Sequence, residues 1–205
     1  MLTGLAILLQ LLSVSFGSKC GYPNNTDTAI HTFNCNSSML NYSINLTCFM
    51  IKQSNLHVKK NVPMIVTGSR VLDKNEVEMY PIDFKAPMTI ELNAINNGEV
   101  YQDNKVDVIL SQYTSGWLSS TCEWKEVKTF GLLNNIDGCE YANNCPLQTG
   151  DLDLRLPLDL SNFGVIINAL LGDHAHQLSI HMKNYNPGLE KHEEIACVTA
   201  QMKIR

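Results

Sequence analysis

The stretch HAHQLSIH, residues 174–181, gathers His174, His176 and His181, and histidines at that density are the first place to look for a metal ion. On an extended chain alternate side chains share a face, so His174 and His176 project together while His181, an odd number of residues further on, projects the other way. Asp173 is the one acidic neighbour and no Cys or Glu completes a ligand set, so these read as surface histidines with no metal and no cofactor. Hydroxyl chemistry fares no better. GxSxG is absent, and the serines of TSG (114–116) and SST (119–121) have no base at a recognisable spacing. Asp151, Asp153 and Asp159 alternate along the polar side of a leucine-rich segment, which a solvated strand edge explains better than paired-carboxylate catalysis. The expectation is a protein that is not an enzyme.

The seven cysteines, Cys20, Cys35, Cys48, Cys122, Cys139, Cys145 and Cys197, do carry chemistry. None forms CxxC, and Cys139-x5-Cys145 is not a usual zinc spacing, so disulfides are expected, with one cysteine left over and about a hundred possible arrangements. An oxidising compartment follows. Residues 1–17, MLTGLAILLQLLSVSFG, carry no charge, are mostly apolar and end with small residues at Ser15 and Gly17, the form of a secretory signal peptide and too short for a membrane span. Four glycosylation sequons follow, at Asn24, Asn36, Asn41 and Asn45, and agree with passage through the secretory pathway. The destination is either outside the cell or the lysosome. A net charge of −5 argues against a nucleic-acid partner.

The elements that position these residues are strands. Apolar residues alternate over 61–71, 89–95, 105–110, 152–160, 178–182 and 196–204. In the last of these Ala196, Val198, Ala200, Met202 and Ile204 alternate with Cys197, Thr199, Gln201 and Lys203, the pattern of a half-buried strand. Turn signals fall between the strands at Asn96, Thr114, Asp137 and Asn186, and no amphipathic helix of ordinary length is found. Residues 18–205 are expected to form one all-β domain, a sandwich or cup. One stretch breaks the rule of two: FGVIINALLG after the leucine strand, an apolar loop or single helical turn. Burying Phe163, Val165, Ile166, Ile167, Leu170 and Leu171 is worth roughly 9–18 kcal/mol together, about the stability of a whole domain, so they either cap the core or meet something apolar outside the protein.

Taken in order along the chain, KNVPMIVTGS (60–69), KVDVIL (105–110) with Trp117 and Cys122 after it, CPLQTGDLDLRLPLDL (145–160) and ACVTAQMKI (196–204) resemble the lipid-recognition (ML) domain family, in particular its sphingolipid-activator type. The resemblance implies an immunoglobulin-like β-sandwich opened into a lipid-binding cup and closed by a disulfide between the last cysteine and one near the mature N-terminus, best matched by Cys35–Cys197. Pairing among Cys122, Cys139 and Cys145 stays open, and residues 72–100 look like an insertion. It also implies a non-enzymatic protein that binds a lipid or glycolipid, lifts it from a membrane and presents or transfers it, in some members to a lipid-degrading hydrolase.

From the strand phases, the cavity walls of such a cup would be Ile65, Ile90, Leu92, Val106, Val108, Leu154, Leu156, Ile180, Val198 and Met202, and the apolar stretch Phe163–Leu171 would be its membrane-contacting lip. His174 and His176, just beyond, would become cations in an acidic lumen and strengthen contact with anionic lipid. The alternative reading is an extracellular β-sandwich recognition module that binds a protein through the same apolar rim.

Overall fold

A strand with one apolar face is stable only when that face is covered, and here two sheets cover each other. The computed structural model describes residues 20–35, 62–116, 121–142, 145–158, 164–170 and 172–205. Its strands are β1 (His31–Asn34), β2 (Met64–Leu72), β3 (Met88–Asn96), β4 (Asn104–Ser115), β5 (Cys122–Glu126), β6 (Ile136–Asp137), β7 (Gly150–Leu158), β8 (Ala175–Asn184) and β9 (Glu194–Lys203), with two short helices, α1 (Gly138–Ala142) and α2 (Gly164–Leu170). One sheet has the order β1-β9-β8-β4-β5, with β6 also on β4, and the other has the order β2-β3-β7. Neighbouring strands pair antiparallel throughout. The protein is an all-β sandwich stabilised by the disulfides Cys20–Cys122, Cys35–Cys197 and Cys139–Cys145.

The core lies in two clusters. One holds Val71, Met79, Ile82, Phe84, Met88, Leu110, Ile167, Leu170, Met202 and Ile204, and the other Met64, Ala94, Tyr101, Leu147, Leu154, Ile195 and Ala196. At one side the sheets are stitched edge to edge. The Asn34 side chain imitates a strand, donating from Nδ2 to Val66 O at 2.9 Å and accepting from Val66 N–H at 3.0 Å, while Thr32 and Ser69 share a hydroxyl contact of 2.5 Å. The connection between β2 and β3 crosses to the other sheet, where Ile82 N–H donates to Lys203 O and Arg205 N–H to Ile82 O, each at 3.0 Å. A glycine is required at 138. A Cβ there would come within 2.0 Å of Asn104 Oδ1, on the buried Asn104 whose amide also contacts the sulfurs of Cys139 and Cys145.

Residues 72–100 contain β3, the strand that joins β2 to β7. Three expectations need correction. The final strand is not half-buried: Cys197, Thr199 and Gln201 are as covered as their inward neighbours. β9 lies between β1 and β8, and the segment from Cys20 passes over its outer face, where Asn24 Nδ2 donates to Gln201 Oε1 at 2.7 Å. Ile65 points outward and is 43% exposed, whereas Met64 and Val66 point in. An alternating pattern tolerates either phase when both sets are apolar, and the bulge between Val66 and Gly68 shifts the phase again so that Val71 also faces the core. The apolar stretch after β7, finally, includes a two-turn helix rather than a loop or a single turn.

Candidate functional site

The candidate site is the space between the sheets. Ile90 and Leu92 of β3 sit opposite Leu156 and Leu154 of β7, and across from them Val106 and Val108 of β4 pair with Met182 and Ile180 of β8, while Ile180 pairs in turn with Val198 of β9. These side chains face inward with Met202. Leu154, Val198 and Met202 are buried, but Ile90, Leu92, Val106, Val108, Leu156 and Ile180 keep part of their surface accessible although two sheets enclose them. Close-packed interiors do not leave a strip of inward aliphatic residues accessible. Such a wall suits a flexible apolar guest that finishes the packing.

Among the described residues, two cavities stand out, and both lie at the periphery of the sandwich. One, of about 260 Å³, is lined by Val108 and Leu110 of β4 and by Val127 and Phe130 of the connection that runs beside it, among others. The other, of about 560 Å³, lies under the β3–β4 and β8–β9 connections, with a floor of Pro63, Tyr101 and Ile195 and a rim that includes Glu99, Glu193 and Lys191. Of the ten expected wall residues, Val108 borders the smaller cavity and none borders the larger.

The expected lip is only partly on the surface. In α2, Ile167 and Leu170 are 4% and 1% exposed and belong to the core cluster with Leu110 and Met202. For these two residues the capping role is correct and the membrane-contacting role is not. They lie three positions apart, one helical turn, and that spacing puts both on the face turned to the sheets. Phe163 and Leu171 lie outside the described residues, as do the side chains of Val165 and Ile166.

His176 also differs from expectation. It has no exposed surface and faces inward opposite Met202. The Gln112 amide nitrogen lies 3.3 Å from Nε2. Burial first, then the neighbouring His174, pushes its pKa down to about 4. It is a neutral core group, and no cation forms there in a mildly acidic lumen. His181, on the opposite face, binds Glu194 through Nδ1 at 2.8 Å.

Each candidate metal cluster among the described residues, His181–Glu194–Cys197 and Asp103–Asp137–Cys139, counts a disulfide sulfur as one of its three ligands. Neither therefore offers a thiolate. Asp151 and Asp153 are exposed on the outer face of β7. Asn24 is exposed in a turn over residues 23–25, while Asn36, Asn41, Asn45, Cys48 and residues 1–17 lie outside the described residues. The three disulfides place the chain in an oxidising compartment, and among the described residues no helix is long and apolar enough to cross a membrane.

One feature escaped the sequence reading. The connection 127–135, VKTFGLLNN, holds Phe130 at 89% exposure and Leu132 at 58%, although burying an aromatic or leucine side chain is worth about 1.5–3 kcal/mol. Its signal in the sequence is a short apolar run, FGLL, set between polar residues. The chain matches no family model and no curated protein.

Proposed function

We propose that this protein is a non-enzymatic lipid carrier of the lipid-recognition domain type, which holds acyl chains between its two sheets and lifts or presents a lipid or glycolipid at a membrane surface. The observation that carries the reading is the partly accessible apolar wall of Ile90, Leu92, Val106, Val108, Leu156 and Ile180 between sheets stitched along one side. A recognition sandwich closes its interior and binds at its surface; a carrier keeps apolar wall area for its cargo. The order of sequence stretches resembling that family supports the same reading. The signal-like N-terminus and the sequons suit a secreted or lysosomal protein, and a lysosomal location would put a lipid-degrading hydrolase within reach of the presented headgroup.

Native mass spectrometry of protein secreted from eukaryotic cells tests this. The expected spectrum shows adducts that dissociate into extractable lipid, and Ile180→Trp, which fills the interior, removes them while the protein stays monomeric and folded. Lipid-free wild-type protein that also takes up none from detergent-dispersed lipid would overturn the proposal in favour of a recognition module.

A further inference from the structure

The connection 127–135 is anchored at both ends and along its length. Val127 N–H donates to Leu110 O at 2.8 Å, Val108 N–H donates to Leu133 O at 2.8 Å, and Asn135 N–H donates to Asp107 Oδ1 at 2.7 Å. Within it Leu132 N–H donates to Thr129 O and Asn134 N–H to Gly131 O, at 3.0 and 3.2 Å. Val127 and Leu133 pack against the core cluster that includes α2. A slack loop would fold its aromatic side chain back onto the protein, but this one holds Phe130 out. Phe130 also has φ 53 and Gly131 φ 79, and the left-handed region is disfavoured for a bulky residue. The tip thus carries two costs, exposed apolar surface and a strained backbone, that return nothing to folding, and outliers of this kind cluster at functional sites.

We propose that residues 127–135 form a preformed membrane-insertion element, which seats Phe130 and Leu132 in the interfacial region of a lipid bilayer. The inference rests on the lipid-carrier reading and adds the place where the carrier meets its membrane. Size selects the bilayer over a protein partner. A stable protein interface needs about 800 Å² from each side, far more than two side chains on a protruding turn supply, whereas lipid surrounds a convex tip on every side. Exposed Lys128 stands on the same turn, suited to anionic headgroups, and Asn134 and Asn135 are exposed where the turn returns to polar surroundings. Glu126, also exposed, lies on the strand side. A second exposed apolar residue, Val77 at 60%, leaves a turn flanked by Val71 and Met79 of the same core cluster. Phe130 borders the 260 Å³ cavity together with Val108 and Leu110, so the tip stands beside Val108 of the interior wall.

Flotation with vesicles of phosphatidylcholine and phosphatidylserine tests the element on the full mature protein. Wild type is expected to float, and Phe130→Asp/Leu132→Asp to lose roughly 100-fold in partitioning while keeping its melting temperature and its uptake of lipid from detergent dispersions. Ile65→Thr, which removes an equally apolar side chain from the outer face of β2, should float like wild type. An aspartate variant that floats normally, a wild type that stays in solution, or an Ile65→Thr variant impaired as much as the aspartate variant would each overturn the proposal. Phe130→Trp gives an independent reading that does not depend on tolerance of aspartate. Its added emission should be quenched by lipids brominated near the headgroup, and quenching no greater than in wild type would overturn the proposal. Lipid uptake without flotation would refute the insertion element alone, and flotation without lipid uptake would refute the carrier reading instead.

Discussion

His176 ties the stability of the core to pH. In the unfolded chain a histidine titrates near ~6.5, and in the fold its pKa is pushed down to about 4 because the cation would lose its water and lie beside His174. The folded state therefore binds fewer protons than the unfolded state between these values. The stabilisation is complete above about 6.5 and is lost as pH falls toward 4, at roughly 2 kcal/mol by pH 5 and roughly 3 by pH 4. Urea unfolding of wild type and His176→Gln at pH 7.5 and 5 should show a smaller drop in stability for the variant by about 2 kcal/mol. Equal drops would mean that the imidazole is solvated, as HxH on a strand suggested. The sequence shows that His174 and His176 share a face; which face it is depends on the pairing of His176 with Met202, a contact made across strands.

Among the elements, α2 decides how much of the apolar stretch after β7 belongs to the core. Leu170→Ala removes a side chain that is 1% exposed among Ile167, Met202 and Leu110 and should cost about 2–5 kcal/mol by denaturant titration. A cost below about 1 kcal/mol would mean that the helix leaves the sheets readily and that its apolar face is surface after all. The strands were legible because alternation over β3, β4, β7, β8 and β9 states both the element and its phase. In β2 it stated the element only. Met64, Ile65 and Val66 are all apolar, so either phase satisfied the pattern, and a bulge at Thr67 is invisible to periodicity. The helix was ambiguous because seven residues are too few to establish a period of 3.6. The turn at Phe130 was harder still, since its run divides between Leu133, which packs inward, and Phe130 and Leu132, which do not.

At the scale of the whole molecule, the three disulfides do unequal work. Cys35–Cys197 joins the edge strand β1 to β9 across 162 positions, Cys20–Cys122 ties the N-terminal segment to β5 across 102, and Cys139–Cys145 spans 6 around α1. A cross-link stabilises chiefly by restricting the unfolded chain, and the restriction grows with the logarithm of the loop it closes. The long bridges are thus worth about 5 kcal/mol each and the short one about 2. Cys35–Cys197 has a second role, because it holds β1 in the position from which Asn34 and Thr32 reach Val66 and Ser69 on the opposite sheet. Its loss frees the stitched side of the sandwich as well as the unfolded chain. Replacing the cysteines pairwise by alanine should therefore lower the denaturant midpoint in the order Cys35/Cys197 most, Cys20/Cys122 next and Cys139/Cys145 least. Hydrogen exchange on the Cys35/Cys197 variant should show the amides of β1 and of Val66 losing protection ahead of those in β3 and β7. If those amides stay protected, the hydrogen bonds of β1 to β9 and of Asn34 to Val66 hold without the disulfide, and its contribution is confined to the unfolded chain.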